Sequence, residues 1–272
     1  MKNSLKVILL SILFLIAIMT FFLIDVSQNF LGKSELSKNI MSKEIFLDKT
    51  NESGVSYFGK SFSSSWGDFN NDSFPDLFVG NHGNGGGGPN LFLNNGNGTF
   101  TDILKQMNLE EVWNSDLHTA TWVDFDNDDD QDLFIIAGGQ KGLGEDSNKL
   151  LISENGSFKE VAKDFGLDYP QGRGRAPLWF DWDNDGLLDV ILGNAPRPDK
   201  KSPSAFFHQT SNGFKKQHEF QDLGTISSIQ LSNHFFDGHM NIFFLTPSPE
   251  AIYEISESQF NKVFEDLIFF TF

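Results

Sequence analysis

The chain has no cysteine. That excludes disulfides, thiol nucleophiles and thiolate metal ligands, and nothing about compartment can be read from redox. Basic residues are scarce: 20 Lys and Arg stand against 37 Asp and Glu, a net charge of −17. A nucleic-acid partner requires a basic face for its phosphates, so that class is excluded. Tyrosine is rare, 3 against 30 Phe, and the Phe fall mostly in short apolar runs suited to strands and core. Catalytic signatures are also missing. The six histidines show no HExxH spacing, and there is no Gly-x-Ser-x-Gly elbow. The Gly85–Gly88 run lacks a following Lys and a helical pattern, so it is expected to be a connector.

What the chain does have is an acidic nonapeptide in three copies: DFNNDSFPD at 68–76, DFDNDDDQD at 124–132 and DWDNDGLLD at 181–189. Oxygen-bearing residues fill positions 1, 3, 5 and 9 each time. Ca²⁺ takes six to eight oxygens, and alternating carboxylates on a tight loop can converge on one ion. The expected ligands are Asp68, Asn70, Asp72 and Asp76, then Asp124, Asp126, Asp128 and Asp132, then Asp181, Asp183, Asp185 and Asp189. Position 7 is expected to give a backbone carbonyl, from Phe74, Asp130 and Leu187. Position 6 demands a sharp turn, which suits Gly186 best and Asp129 better than Ser73. Mg²⁺ keeps more of its water and suits such a cage less. Three Ca²⁺ sites are therefore expected. The loop opens like an EF-hand but does not continue as one, because position 12 is Val79, Ile135 and Leu192 where an EF-hand needs Glu. Short apolar runs follow position 9, as for buried strands. The unit is thus strand, calcium loop, strand.

The first aspartates recur at 68, 124 and 181, so the loop also measures a repeat. Each unit continues through a Gly- or Pro-rich loop to a third strand, beginning near Asn90, Lys149 and Ala205. A turn follows with Asn-Gly at its centre, at Asn97-Gly98, Asn155-Gly156 and Asn212-Gly213, where both residues tolerate a type I′ turn. A fourth strand then opens with Phe100, Phe158 or Phe214. Four antiparallel strands per repeat make a propeller blade. A fourth unit at 233–241 keeps the loop length and Gly238 but has lost carboxylates at positions 1, 3 and 9, so it is expected to fold as a blade and to bind calcium weakly or not at all. Residues 46–50, FLDKT, look like a fourth strand with no blade before it. The expected class is all-β: a propeller of about four blades over residues 45–272, with an N-terminal transmembrane helix. Four blades at this spacing point to an open arc, a shortened relative or assembly with a second chain ahead of a closed four-blade ring.

Trp66, Trp122 and Trp179 each precede a loop by two residues, a repeat position expected for packing between blades. The run Trp-x-Asp-[Phe/Trp]-[Asn/Asp]-Asn-Asp-x-x-x-Asp resembles the FG-GAP/VCBS repeat, the blade of integrin α-chain propellers. The segments at 46–55, 94–102 and 172–176 look more narrowly like the ASPIC/UnbV-type group. The resemblance covers residues 45 to about 245. It implies a propeller whose calcium ligands are the loop carboxylates named above, and it implies little about activity.

Lys2 and Lys6 precede Val7–Ile24, a stretch without charge and long enough to span a bilayer. No Ala-x-Ala-like site follows. Residues 1–25 are expected to be a retained anchor, with a cleaved signal as the alternative, and 26–44 a polar stalk. The lysines place the remainder outside the cytoplasm, where low-affinity calcium modules work. The expected function is a membrane-anchored, extracytoplasmic calcium-binding propeller that recognises a protein or glycan, with self-association if the ring is open. The alternatives are a propeller-fold hydrolase or lyase and a truncated relative that does not act alone. His118 and His208 are expected to be half-buried strand residues, and Arg173 and Arg175 surface-loop cations.

Overall fold

The computed structural model describes residues 47–57, 59–82, 88–139, 142–154, 156–220, 223–232, 241–246, 251–256 and 259–265. The expected anchor and stalk, the Gly85–Gly88 connector up to residue 87, and loop residues 233–240 lie outside these. Among the described residues no helix is long and apolar enough to cross a membrane. The chain divides into Met1–Lys49 and Thr50–Phe272, and the described strands all belong to the second unit.

Four antiparallel sheets follow one another, each with four strands in sequence order. The first holds β1 (Ser61–Gly67), β2 (Asp76–Asn81), β3 (Asn90–Asn94) and β4 (Phe100–Asp102). The second holds β5 (Leu117–Val123), β6 (Asp132–Ala137), β7 (Lys149–Glu154) and β8 (Ser157–Glu160). The third holds β9 (Gly174–Phe180), β10 (Asp189–Asn194), β11 (Ser204–Thr210) and β12 (Gly213–Phe220). The fourth holds β13 (Ser228–Ser232), β14 (Asn241–Leu245), β15 (Ala251–Ser256) and β16 (Gln259–Glu265). Each acidic nonapeptide joins the first strand of its sheet to the second. In the register Gly67 pairs with Asp76, Val123 with Asp132 and Phe180 with Asp189, so position 9 opens the second strand.

The second strands β2, β6 and β10 are buried along their whole length. Their near-continuous apolar sequences, DLFVGN, DLFIIA and DVILGN, suit a strand covered on both faces. First strands pack on one another in series, β1 on β5, β5 on β9 and β9 on β13, and no comparable contact joins β13 to β1 among the described residues. The core therefore lies between consecutive sheets. One cluster joins Phe78 and Leu91 of the first sheet to Leu133 and Ile135 of the second. The next joins Phe134 and Ile136 to Val190 and Phe207, and a third joins Ile191 and Phe206 to Ile242 and Phe244. These are propeller-like blades packed face to face.

Trp122 and Trp179 stand between sheets. Trp122 lies 6.5 Å from Phe69, and its indole N–H donates to the Ser65 carbonyl at 3.2 Å. Trp179 meets Phe134 edge-on at 5.3 Å and Phe214 at 5.8 Å. Trp66, with no described sheet before it, is 57% exposed.

Two expectations need correction. Gly98 and Gly213 are left-handed, but Asn97 and Asn212 are not, so the first and third turns are not type I′. The Asn97 carboxamide instead accepts from the Thr99 N–H at 3.0 Å and hydroxyl at 2.6 Å. Residues 47–49 form no strand, and the chain enters a helical turn at Thr50–Ser53. Comparable turns follow β4 at Leu104–Met107 and β8 at Ala162–Phe165, the latter closed by left-handed Gly166. A Phe-led fourth strand that must leave its sheet does so by tightening into a turn, with Ile103 and Val161 buried at the exit.

Candidate metal centre

The three acidic loops have one geometry. Position 1 caps the turn: the N–H of position 5 donates to one of its carboxylate oxygens and the N–H of position 6 to the other. The distances are 3.1 and 2.8 Å at Asp68, 3.1 and 3.2 Å at Asp124, and 3.2 and 3.1 Å at Asp181. The position 5 carboxylate then accepts from the N–H of position 7 at 2.8 Å in Phe74, 2.9 Å in Asp130 and 2.8 Å in Leu187. Curling this tightly requires left-handed backbone at two places. Position 6 is one, with φ of 70° at Ser73, 70° at Asp129 and 87° at Gly186. Position 4 is the other, with φ of 55° at Asn71, 59° at Asn127 and 59° at Asn184. Asn is the non-glycine residue most at ease there. Asn71, Asn127 and Asn184 recur at this position in every copy, which is the sequence signal for the turn.

The curl turns positions 1, 3 and 5 toward one point. One oxygen from each of Asp124, Asp126 and Asp128 lies within 4.8 Å of the others, and the same holds for Asp181, Asp183 and Asp185. In the first loop position 3 is Asn70, whose amide nitrogen donates to Asp72 at 2.9 Å. Positions 3 and 5 are exposed, position 1 is half-buried and position 9 is buried. This gradient sets the mouth of each loop in water and its floor in the protein.

The floor is Asp76, Asp132 and Asp189, each at most 1% exposed. These carboxylates are staples as well as candidate ligands. Asp76 accepts from the Phe69 N–H at 2.9 Å and from the Asn94 N–H of β3 at 2.7 Å. Asp189 accepts from the Trp182 N–H at 2.9 Å and from the Gln209 N–H of β11 at 2.7 Å. Asp132 accepts from the Ser153 N–H of β7 at 2.9 Å, while its Oδ2 is buried without a hydrogen bond. Burial pushes the Asp132 carboxyl up to about 7, against the Ser153 N–H, with the Asp126 charge adding to the rise. Burial raises Asp76 and Asp189 in the same way, and it raises Asp126, where the Asp128 and Asp124 charges contribute next. An all-oxygen donor set that raises its own carboxyls, with a buried oxygen left over, suits a hard cation.

Neighbouring loops are also tied together. Gln209, whose N–H holds Asp189, extends its side-chain N–H to the Phe125 carbonyl of the second loop at 2.9 Å. Ser153 does the same one sheet earlier, from Asp132 to the Phe69 carbonyl at 3.4 Å. Asn127 donates to the Gly186 carbonyl at 2.8 Å, and Gln131 accepts from the Asp68 N–H at 2.9 Å. Asn71 donates to Asp130 across the first pair of loops.

The structure also moves some residues from where the sequence placed them. His208 lies in β11 as expected, yet its Nε2 is 3.2 Å from Asp183 Oδ2 and 4.0 Å from Asp189, which puts an imidazole at the third loop. Arg175 is not in a surface loop: it lies in β9, and burial lowers its guanidinium, with Arg173 adding to the effect. In the fourth unit only Asn241 of the loop is described, buried at the start of β14 where the other sheets have the stapling aspartate.

The FG-GAP-like repeat family matches residues 68–135 and 124–192, spans that begin on position 1 of the first and second loops. Cartilage acidic protein 1 of Xenopus tropicalis is 31% identical over 134 residues. That stretch is 47% of this chain and 20% of the relative, so the chain spans about a fifth of the relative's length. Two tandem FG-GAP-like repeats are thus seated on the sheets that carry the acidic loops, and over residues 68–192 the chain is similar to that family.

Proposed function

We propose that this protein is a calcium-stabilised propeller module that binds a protein or glycan partner outside the cytoplasm. The supporting observation is that the loops curl identically and bring their carboxylates to one point above a buried aspartate. In the first loop the ligands are Asp68, Asn70, Asp72 and Asp76 with the Phe74 carbonyl. In the second they are Asp124, Asp126, Asp128 and Asp132 with the Asp130 carbonyl, and in the third Asp181, Asp183, Asp185 and Asp189 with the Leu187 carbonyl. The bound ion neutralises carboxylates that otherwise repel one another, and so ties the first two strands of each sheet. The FG-GAP-like match supports an interaction module and an extracytoplasmic location. The apolar N-terminal segment, which lies outside the described residues, is the membrane anchor in this reading. Trp66, the exposed member of the tryptophan set, marks the face that self-association would cover.

The test is thermal melting of the calcium-loaded and chelated protein. Each site held at about 100 times its Kd adds about 2.7 kcal/mol, so chelation lowers the Tm by many degrees. Asp126→Ala, which removes one central ligand, loses roughly one site's share. Identical melts with and without calcium would refute the reading.

A further inference from the structure

Three side chains converge at the opposite end of the strands from the acidic loops. His82 follows β2, while Asp116 and His118 stand at the start of β5, whose far end runs into Asp124. Five residue steps of strand lead from His118 to Val123, which places this cluster about 17 Å from the second loop. His82 Nδ1 lies 3.0 Å from Asp116 Oδ1 and 2.8 Å from His118 Nε2, and His118 Nε2 lies 3.5 Å from Asp116 Oδ1. A tetrahedral ion with bonds of 2.0–2.1 Å spaces its ligands about 3.3 Å apart. The three donor atoms stand 2.8–3.5 Å apart, within about half an ångström of that spacing.

The pocket is built around the imidazoles. Side-chain exposure is 2% for His118 and 4% for Asp116, against 47% for His82. Phe62 stacks on the His118 ring at 4.4 Å and covers His82 at 5.1 Å. Gly138 makes room: a Cβ there would meet His118 Nε2 at 2.0 Å. The Gly138 N–H also donates to the Asp116 carbonyl at 2.7 Å, fixing the backbone that carries the carboxylate. His118 Nδ1 lies 3.1 Å from the Gly174 carbonyl. With the proton on Nδ1 and donated there, the Nε2 lone pair faces His82 and Asp116, the outer-shell arrangement that orients a ligand imidazole. Arg175 Nη1 lies 2.6 Å from Nδ1 and 2.7 Å from the same carbonyl. Without a metal it can donate to the ring and select the opposite tautomer. With a metal on Nε2 it keeps only its bond to the carbonyl.

We propose that His82, Asp116 and His118 form a transition-metal site, separate from the calcium loops, that binds Zn²⁺ through two imidazoles and one carboxylate. Imidazole donors select borderline ions over Ca²⁺. Three protein ligands leave one tetrahedral position open, and half-exposed His82 puts it on the solvent side, where a water or an anionic group of a partner completes the shell.

The experiment is calorimetric titration of the full chain, saturated with calcium, with Zn²⁺, and with Co²⁺ as a spectroscopic probe. One equivalent of Zn²⁺ binds, and Co²⁺ gives the visible absorption of a four-coordinate ion. His82→Ala, on the exposed side and so least disruptive, weakens Zn²⁺ binding by more than about 100-fold, beyond what loss of an outer-shell partner costs. His208→Ala, at the third acidic loop, leaves it unchanged. The proposal is overturned if the calcium-saturated protein takes up no Zn²⁺ or if His82→Ala binds it normally. It is also overturned if only His208→Ala loses it, which would assign the ion to the third loop.

Discussion

Asp132 is the residue on which the calcium reading is most exposed to test. Its carboxyl is pushed up to about 7 by burial, against the Ser153 N–H and with the Asp126 charge adding. In the unfolded chain it titrates near 3.9. Between those values the unfolded chain has released the proton and the folded chain still holds it. Without calcium, then, the contribution is fully present below about pH 4 and is lost as pH rises through about 7. Three units correspond to about 4 kcal/mol. The mouth of the loop is open to water, and screening there brings the figure to about 2 kcal/mol. The interval from pH 5 to 8 captures about two-thirds of it, equivalent to about 3–5 °C in Tm for a domain of this size. Asp76, Asp126 and Asp189 are raised too and steepen the decline. The assay is circular-dichroism melting of protein stripped on a chelating resin, at pH 5, 6, 7 and 8. Asp132→Asn, isosteric with the protonated acid, should flatten the decline by about 3–5 °C and lose the calcium gain of the second loop. Calcium should flatten the wild-type curve, because a bound ion requires the deprotonated carboxylate. A calcium-free Tm that is level from pH 5 to 8, or a variant as steep as the wild type, would refute the reasoning.

Gln209→Ala deletes the side-chain bond to the Phe125 carbonyl in a buried place. It should cost about 1–3 kcal/mol in chemical denaturation, and it should weaken calcium binding at the second loop as well as the third. Gly186 has φ of 87° with open space around it, while Ser73 holds φ of 70° at the same loop position. Gly186→Ala should therefore destabilise by about 1 kcal/mol, and Ser73→Gly should not. Equal effects in denaturant titrations would show that position 6 is not where the loop stores its strain.

Much of this molecule was legible because its information is local and repeated. Position 9 in each copy is followed by an apolar run with one hydrophobic choice per residue, and those runs are β2, β6 and β10. The Trp two residues before each loop announced packing between sheets, and Trp122 and Trp179 lie there. The Asn-Gly steps located the turns but not their type, since Asn97 spends its carboxamide on Thr99 and of that pair only Gly98 is left-handed. The short helical turns after β4 and β8 were missed because four residues carry no helical period.

The sequence by itself determined the unit: a strand, an acidic loop with fixed oxygen spacing and a buried strand, recurring at a nearly constant interval. Coordination chemistry and strand periodicity act over a few residues, so spacing suffices to reveal them. Only the tertiary structure decided which groups meet across units. It set the Asp189–Gln209–Phe125 link between loops, the imidazole of His208 beside Asp183, and His82 beside Asp116 and His118. Those residues are far apart in the chain and share no motif. They are brought together by sheets packing face to face, a geometry that depends on the whole buried surface rather than on any one segment.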